Sequence, residues 1–591
     1  MTRFMLLAAL FTAVQAQAAD DAPLRLDDLT ITTATRTATT VDESLSTITV
    51  YTRDDIERSQ ADRLTDVLRF VAGLDVVRTG GPGQQTSLFF RGSESNHTLV
   101  LIDGVRMNPA TIGTPAVQNV PASMIERIEI VSGPRSSLYG SDAIGGVINV
   151  ITRSDGAGGD FEARAGGDNA QRIAANAGFA QGGWSLRAGV DTQRTGGIPT
   201  RSFTVEDRGY ENDAFNLTLQ RTFDRGSVSV RHLQAEGITE YADFFGSAVS
   251  QDFENSVTAL QWQQQFTAGW DSTLIVSRNV DDIAQRESPD FVESTRTSVD
   301  WQNTLKVNDA HTVVAGVLLF NESAETLSFG SGFDEDTDLT AVFVQDQYRN
   351  GRFDAIASLR LTDHDAFGNE LTWNGAVGFD ITPTLRVQAG GGRAFRAPDA
   401  TDRFGFGGSP DREAESSEQW QATGIWKPAE SWRLSLELFS NDIEDLIDFD
   451  FATFTLQNIS EAEIRGAELR GVWAAEGWNI AFGLVNQSVE NAATGARLLR
   501  RSEQSATLDV SREFSDNLDA SVTVRADGDR EGIGGARLAG YVLVNTGLRY
   551  RINDRWQLSA HVENLLDADY EPAADFRAQD RRTAVGLRYS W

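Results

Sequence analysis

From residue 160 to the end of the chain, apolar and polar residues alternate in runs of about ten, each broken by turn residues. Residues 184–190 and 433–439 are examples. In the clearest run, 541–550, Val542, Val544, Thr546, Leu548 and Tyr550 share one face, because successive side chains of a strand point to opposite sides. Residues 551–556 then read as a short turn, and 556–562 restart the alternation. This period of two persists for about 430 residues and predicts a long series of half-apolar strands. No fixed repeat length is visible, which counts against a solenoid or a propeller. A soluble β-helix is the competing reading.

The pattern before residue 155 is different. Residues 46–51 alternate as a strand, and Thr52 with Asp55 has the spacing of a capping box. Leu64, Val67, Leu68 and Val71 fall at helical spacing, with Gly73 placed as a C-cap. In 125–131, Ile128 and Ile130 alternate against Glu129 as a half-buried strand, and 147–151 form another. Residues 43–155 therefore read as a compact α/β unit of single-domain size.

The start of the chain narrows the setting. Arg3 precedes an apolar run, 4–14, and Ala16-Gln17-Ala18 has the small-x-small form of a signal-peptidase site, so 1–19 are expected to be a secretory signal. That run is too short to cross a bilayer as a helix, and the next best, 313–320, is shorter. The exported chain is then a soluble secreted protein or a β-barrel. Its 53 glycines and its 32 Phe, 12 Trp and 9 Tyr fit turns and aromatic girdles. With no cysteine, there are no disulfides and no thiolate metal sites. The formal net charge of −33 becomes −34 when Arg3 leaves with the signal; it argues against a nucleic-acid partner and suits divalent cations, or a surface where cations bridge acidic loops to lipid phosphates. Lys306 and Lys427 are the only lysines.

Several blocks carry a family resemblance. Gly133-Pro134-Arg135-Ser136-Ser137-Leu138-Tyr139-Gly140-Ser141-Asp142-Ala143-Ile144-Gly145-Gly146-Val147-Ile148-Asn149-Val150 resembles the end of the plug domain of TonB-dependent outer-membrane receptors. Phe89-Phe90-Arg91-Gly92 and residues 98–108 resemble earlier plug blocks, in the same order. Arg393-Ala394-Phe395-Arg396-Ala397-Pro398, residues 415–420, 464–468 and 562–570 are similar to barrel blocks, and Asp445-Leu446-Ile447-Asp448-Phe449 looks like the cobalamin (vitamin B12) receptor branch. The last strand, with Val585, Leu587, Tyr589 and Trp591 on one face, resembles the terminal strand read by the outer-membrane barrel assembly machinery. The resemblance implies an all-β transmembrane barrel of 22 antiparallel strands, 156–591, with the α/β unit 43–155 as a plug inside the lumen and 20–42 as a periplasmic segment. It places the chain in the Gram-negative outer membrane, among lipid and lipopolysaccharide.

The same resemblance implies site residues. Residues 28–36, beginning Asp28-Leu29-Thr30-Ile31-Thr32, resemble the TonB box, which the TonB protein would bind by strand addition, so the segment is expected to be free and extended. Arg91 and Arg135 stand at plug positions, and Glu468 at a barrel position, of a plug–barrel latch; the second barrel position carries Gln421. Substrate is expected to meet the plug's apical loops at Gly81, Gly83, Gln84, Asn108, Thr111 and Thr114. Calcium, used by the cobalamin branch, would be held by Glu211, Asp213, Tyr241, Asp243 and Asp252, although Gly197-Ile198-Pro199 stands where another acidic ligand would be. The acidic run 334–338 reads as a solvated loop.

No catalytic constellation is visible. There is no Gly-Lys pair for a P-loop, no HExxH spacing among the five histidines and no nucleophile elbow, so neither an enzyme nor a catalytic cofactor is expected. The implied activity is TonB-driven import of cobalamin or another corrinoid, energised by the inner-membrane proton gradient. A small iron-siderophore is the alternative cargo; haem is disfavoured by the absence of His between Ala400 and Glu418. A passive porin or adhesin is the alternative from another class.

Overall fold

The computed structural model describes residues 29–591 except 155, 329, 451, 452, 459 and 460. Asp28 and the signal segment lie outside the described residues. From Gly158–Gly166 to Arg582–Ser590, 22 antiparallel strands form one closed barrel. The first and last strands close it, with Ala163 opposite Leu587 and the backbones of Gly159 and Trp591 exchanging bonds at 3.0 and 3.1 Å. Closure leaves no unpaired strand edge, the condition for an extended chain to cross lipid.

The period of two sorts side chains as expected. In Tyr541–Arg551, Val542, Leu548 and Tyr550 face outward and are exposed, while Leu543, Gly547 and Arg549 face the lumen and are buried. Leu186, Leu219, Leu361, Leu438 and Leu484 belong to the same outer apolar band. In water such a band would drive association, whereas in hydrocarbon it is the solvated face. One rim has tight turns such as Gly182-Gly183 and carries an aromatic girdle, with Phe266 packed on Trp270 at 4.6 Å and Trp556 on Tyr589 at 4.9 Å. The other rim has the longer connections, 397–414, 445–460 and 564–581. Short turns mark the periplasmic rim and long loops the cell-surface rim.

The lumen is filled by the N-terminal α/β unit. Its mixed sheet runs Ile48–Tyr51, Ile125–Ser132, Gly146–Thr152, Thr98–Ile102 and Val105–Arg106 in spatial order. Only Thr98–Ile102 and Gly146–Thr152 pair in parallel. Thr52 caps the helix Arg53–Ser59 in a capping box with Asp55. The second helix, Leu64–Leu68, stops earlier than its apolar spacing suggests. Gly73 is therefore not its C-cap: at φ +74° it opens the strand Leu74–Arg78, and a Cβ there would lie 3.4 Å from the carboxylate of Glu468. Ile56, Leu64, Leu68, Ile128 and Ile148 form the unit's apolar centre, which continues onto small wall residues such as Ala214, Ala235 and Ala259.

Because each wall strand is bonded on both sides, proline at a closing position must break a ladder. Leu587→Pro is expected to abolish the compact, heat-modifiable form of the barrel on unheated gels. Retention of that form would contradict the closure between the first and last strands.

Candidate functional site

The plug is held to the wall by buried ion pairs. Arg91 follows the strand Thr86–Phe90 in a left-handed conformation, φ +49°, with Gly92 beside it at +80°. That backbone is costly for a residue with a Cβ, by about 1 kcal/mol or more, and persists only where its surroundings fix it. Here Arg91 Nη1 donates to Glu437 Oε1 at 2.7 Å and Nη2 to Glu468 Oε2 at 3.0 Å, with the Phe439 ring 4.6 Å from the guanidinium carbon. All three charged side chains are buried. Burial opposes the cation, but the two carboxylates outweigh it and hold the Arg91 pKa above its usual range. Thr47 and Arg470 bond the outer sides of Glu437 and Glu468, completing the network.

Sequence reasoning paired Arg91 and Arg135 with Glu468 and missed Glu437. The signal was present: in Trp432–Glu444 the outward Leu434, Leu436 and Leu438 put Glu437 on the lumen side. Arg135 departs from its expected role. Among the described residues it has no carboxylate partner, and it donates to Pro134 O at 3.0 Å, Ser132 O at 3.3 Å and Ser46 Oγ. It faces a small cavity lined by Gln419 and Gln421, where an acid would have completed a pair. Burial, with nearby Arg91, lowers its pKa to about 10 despite Tyr139 and Glu437.

Further ties surround this one. Barrel Arg525 donates to Val71 O, Leu74 O and, at 2.6 Å, Asp75 of the plug. Barrel Arg164 and Arg582 hold plug Asp62 at 2.7 and 3.2 Å, and Arg588 holds Glu57 at 2.6 Å. Plug His97 meets barrel Glu415 at 2.7 Å, both fully buried; Glu415 also takes Arg396 at 2.6 Å and the Ile447 amide at 2.7 Å. The Glu94 amide donates to His97 Nδ1, so Nε2 carries the proton toward Glu415.

The N-terminal segment is docked rather than free. Thr30–Ile31 pairs with Thr39–Thr40, and Ile31 is fully buried with Ala34, Val41, Val50 and Val131. The amides of Thr32 and Thr33 both donate to Glu129 Oε2 at 3.0 Å, and Thr33 Oγ1 donates to it at 2.6 Å. Arg36 pairs with Asp300 of the wall at 2.6 Å. Strand addition to a partner requires this segment to leave Glu129 first.

The apical residues are packed into the wall. Gly83, φ +75°, lies against the Tyr210 ring, where a Cβ would come within 2.0 Å; Gly81 lies against Ile198, and Gln84 donates to Glu240 O at 2.7 Å. Asn108 is an internal brace: its amide serves Val100 N, Thr98 O and Gly113 O, which leaves little for a ligand. Thr111 is buried, and its carbonyl accepts from the Thr401 amide of an outer loop; Thr114 is half-buried.

The expected calcium ligands do not converge. Glu211 and Asp213 face outward near Arg194, while Asp252 is bound bidentately by Arg286. Asp243 accepts the amides of Phe245 and Ser247, and Tyr241 is half-buried on Gly226–Ala242. Among the described residues no group of three or more His, Asp or Glu side chains could hold a metal ion. Asp213 instead begins a row on the outer wall: Asp213, Glu236, Glu254, Asp282, Glu293, Glu325 and Asp334 stand directly opposite one another on successive strands. The acidic run 334–338 is part of the strand Ser331–Asn350, not a loop.

A plugged barrel with a docked N-terminal segment defines a gated outer-membrane receptor. Residues 150–565 match the family model "TonB dependent receptor-like, beta-barrel", and 40–147 match "TonB-dependent Receptor Plug Domain". The chain belongs to the TonB-dependent receptors, and it is a multi-pass β-barrel protein of the outer membrane. It is 28% identical, over 99% of its length and 98% of the other's, to the vitamin B12 transporter BtuB of Photobacterium profundum. Among solved structures it resembles the siderophore receptor PirA from Acinetobacter baumannii, with TM-score 0.80, 17% identity and coverage of 93% and 99% of the two chains. It also resembles the ferripyoverdine receptor of Pseudomonas aeruginosa, with TM-score 0.81, 16% identity and coverage of 96% and 90%. At those identities the two structures share the fold.

Removing Arg91 leaves the two buried carboxylates with one cation beside them, Arg470, which bonds Glu468, and takes from Glu437 the arginine it pairs with. Arg91→Met is expected to destabilise the plug by about 3–5 kcal/mol, and adding Glu437→Gln and Glu468→Gln to recover part of the loss. Denaturant titration followed by limited proteolysis measures this; a triple variant no better than Arg91→Met would contradict it. For Glu57, burial raises the pKa but Arg53 and Arg588 outweigh it, lowering it from 4.5 to about 2. A carboxylate lowered on folding stabilises above its unfolded pKa and loses that contribution as pH falls through the folded one. The stability gap between wild type and Glu57→Gln is therefore expected to hold from pH 7 to 5 and to close toward pH 2. A gap that closes between pH 7 and 5 would contradict the pairing.

Proposed function

We propose that this receptor imports cobalamin or a related corrinoid. The observation that carries the reading is the end-to-end likeness to a vitamin B12 transporter, which leaves no domain of either chain unaccounted for. The block Asp445-Leu446-Ile447-Asp448-Phe449 supports the same branch. Ligand binds at the cell-surface rim, the plug 43–155 rearranges within the barrel 156–591, and residues 28–36 leave Glu129 for TonB. The inner-membrane proton gradient supplies the energy. Arg91 with Glu437 and Glu468 serves as the latch, a role for which buried, geometrically specific pairs are suited. The outward row of carboxylates supports contact with lipopolysaccharide phosphates through bridging cations.

Titration of cyanocobalamin into the purified chain tests the cargo. Saturable binding is expected, undiminished by a chelator, because Glu211, Asp213, Asp243 and Asp252 already have protein partners. Loss of binding in chelator would restore calcium to the site. No binding in either condition would overturn the corrinoid reading and favour a small iron-siderophore.

A further inference from the structure

The cell-surface loop 397–414 and the segments 445–450 and 453–458 of the next long loop are joined into one unit. Leu456 N donates to Gly407 O at 2.8 Å, and Asn458 bonds Glu413 through Oδ1 at 3.2 Å and Nδ2 at 3.1 Å. The unit is seated on the plug. Ala400 N and Thr401 N donate to Ala110 O and Thr111 O at 3.1 and 3.0 Å, while Leu446 shares an apolar cluster with plug Ile144. The short helix Ala400–Phe404 also leans on the strand Ser331–Asn350, with Phe404 6.0 Å from Phe333. The unit thus lies over the plug at the mouth of the lumen.

Its free surface is aromatic. Phe406 stacks on Phe449 at 6.5 Å and 26°, and Phe449 meets Phe454 edge-on at 6.4 Å. Phe406 is 70% and Phe454 62% exposed. These rings stand on water-facing loops, away from the lipid band, where exposed aromatic clusters are costly unless something covers them. The surrounding charge restricts what can do so. In loop 397–414, Arg396 pairs with Asp399 and Asp402, which leaves Asp411 and Glu413 against Arg403 and Arg412, while the second loop adds Asp445, Asp448 and Asp450 and contains no Lys or Arg. The field over the rings is negative and opposes an anion.

We infer that Phe406, Phe449 and Phe454 form the first docking platform for the cargo, and that it takes an uncharged ligand with a broad apolar or conjugated face. The inference rests on the corrinoid reading and adds to it the place and chemistry of capture. The platform is wired to the plug: Ile447 N and Arg396, at the bases of the two loops, both bond Glu415, which bonds plug His97. His97 adjoins the plug strand Thr98–Ile102, which pairs with Gly146–Thr152, which pairs with Ile125–Ser132, the strand that carries Glu129. A ligand that draws the two loops together therefore acts on the element holding the N-terminal segment.

Cyanocobalamin titration of the full chain in detergent tests this with Phe406→Ala/Phe454→Ala and Phe406→Trp/Phe454→Trp, with a ferric tris-catecholate as the anionic probe. Both pairs are exposed, so each variant is expected to keep the folded barrel's gel mobility. The alanine pair is expected to weaken cyanocobalamin binding at least tenfold, the tryptophan pair to stay within about threefold of wild type, and the catecholate not to bind. Wild-type binding that the alanine pair leaves unchanged would overturn the platform and spare the corrinoid reading. A wild type that binds the catecholate and not cyanocobalamin would overturn both.

Discussion

The guanidinium of Arg91, seated between Glu437 and Glu468, meets the central demand of this architecture. A closed wall of 22 strands encloses a lumen that its own side chains cannot fill, so a separate unit must block it. That unit cannot be fixed by a continuous apolar interface, because it must move for cargo to pass. Apolar contact with the wall is confined to patches such as Ala214, Ala235 and Ala259, and buried ion pairs supply the rest: their net contribution is modest, but separating them singly is expensive. The left-handed backbone at Arg91 and the close approach of Gly73 to Glu468 are local costs accepted to place the pair.

The surrounding ties give the plug two ends with different jobs. Toward the cell surface, Glu415 links His97, Arg396 and the Ile447 amide, so plug and outer loops share one buried carboxylate. Toward the periplasm, Glu129 holds the N-terminal segment through two amides and a hydroxyl. The plug sheet runs between them, with Asn149 on its central strand also bonding Thr33. A shift imposed at one end meets few soft joints before the other.

Much of the barrel was legible in the sequence because a period of two is a local property, repeated in every strand. The inward phase of Glu437 was legible by the same rule, although it was not used. Helical spacing at 64–71 misled, because Leu64–Leu68 gives way to a turn that lets Gly73 approach Glu468. Asn108 and Gly83 were read as ligand-facing from loop position; the structure uses one to brace its own loop and the other to admit the Tyr210 ring. The calcium ligands were implied by the family resemblance, but Glu211 and Asp213 face outward beside Arg194, Arg286 takes Asp252 and two backbone amides take Asp243. Arg525 on the carbonyls of Val71 and Leu74, or Ala400 on Ala110, joins residues hundreds of positions apart and leaves no local pattern.

The claim beneath all of this is that the plugged barrel opens only when pulled through its N-terminal segment. Uptake of labelled cyanocobalamin by cells carrying the receptor with residues 29–36 deleted tests it most directly. Uptake should fall to the level of cells lacking the receptor while surface binding of the vitamin persists. Uptake that continues unchanged would mean a passive path through the barrel, and would contradict the account.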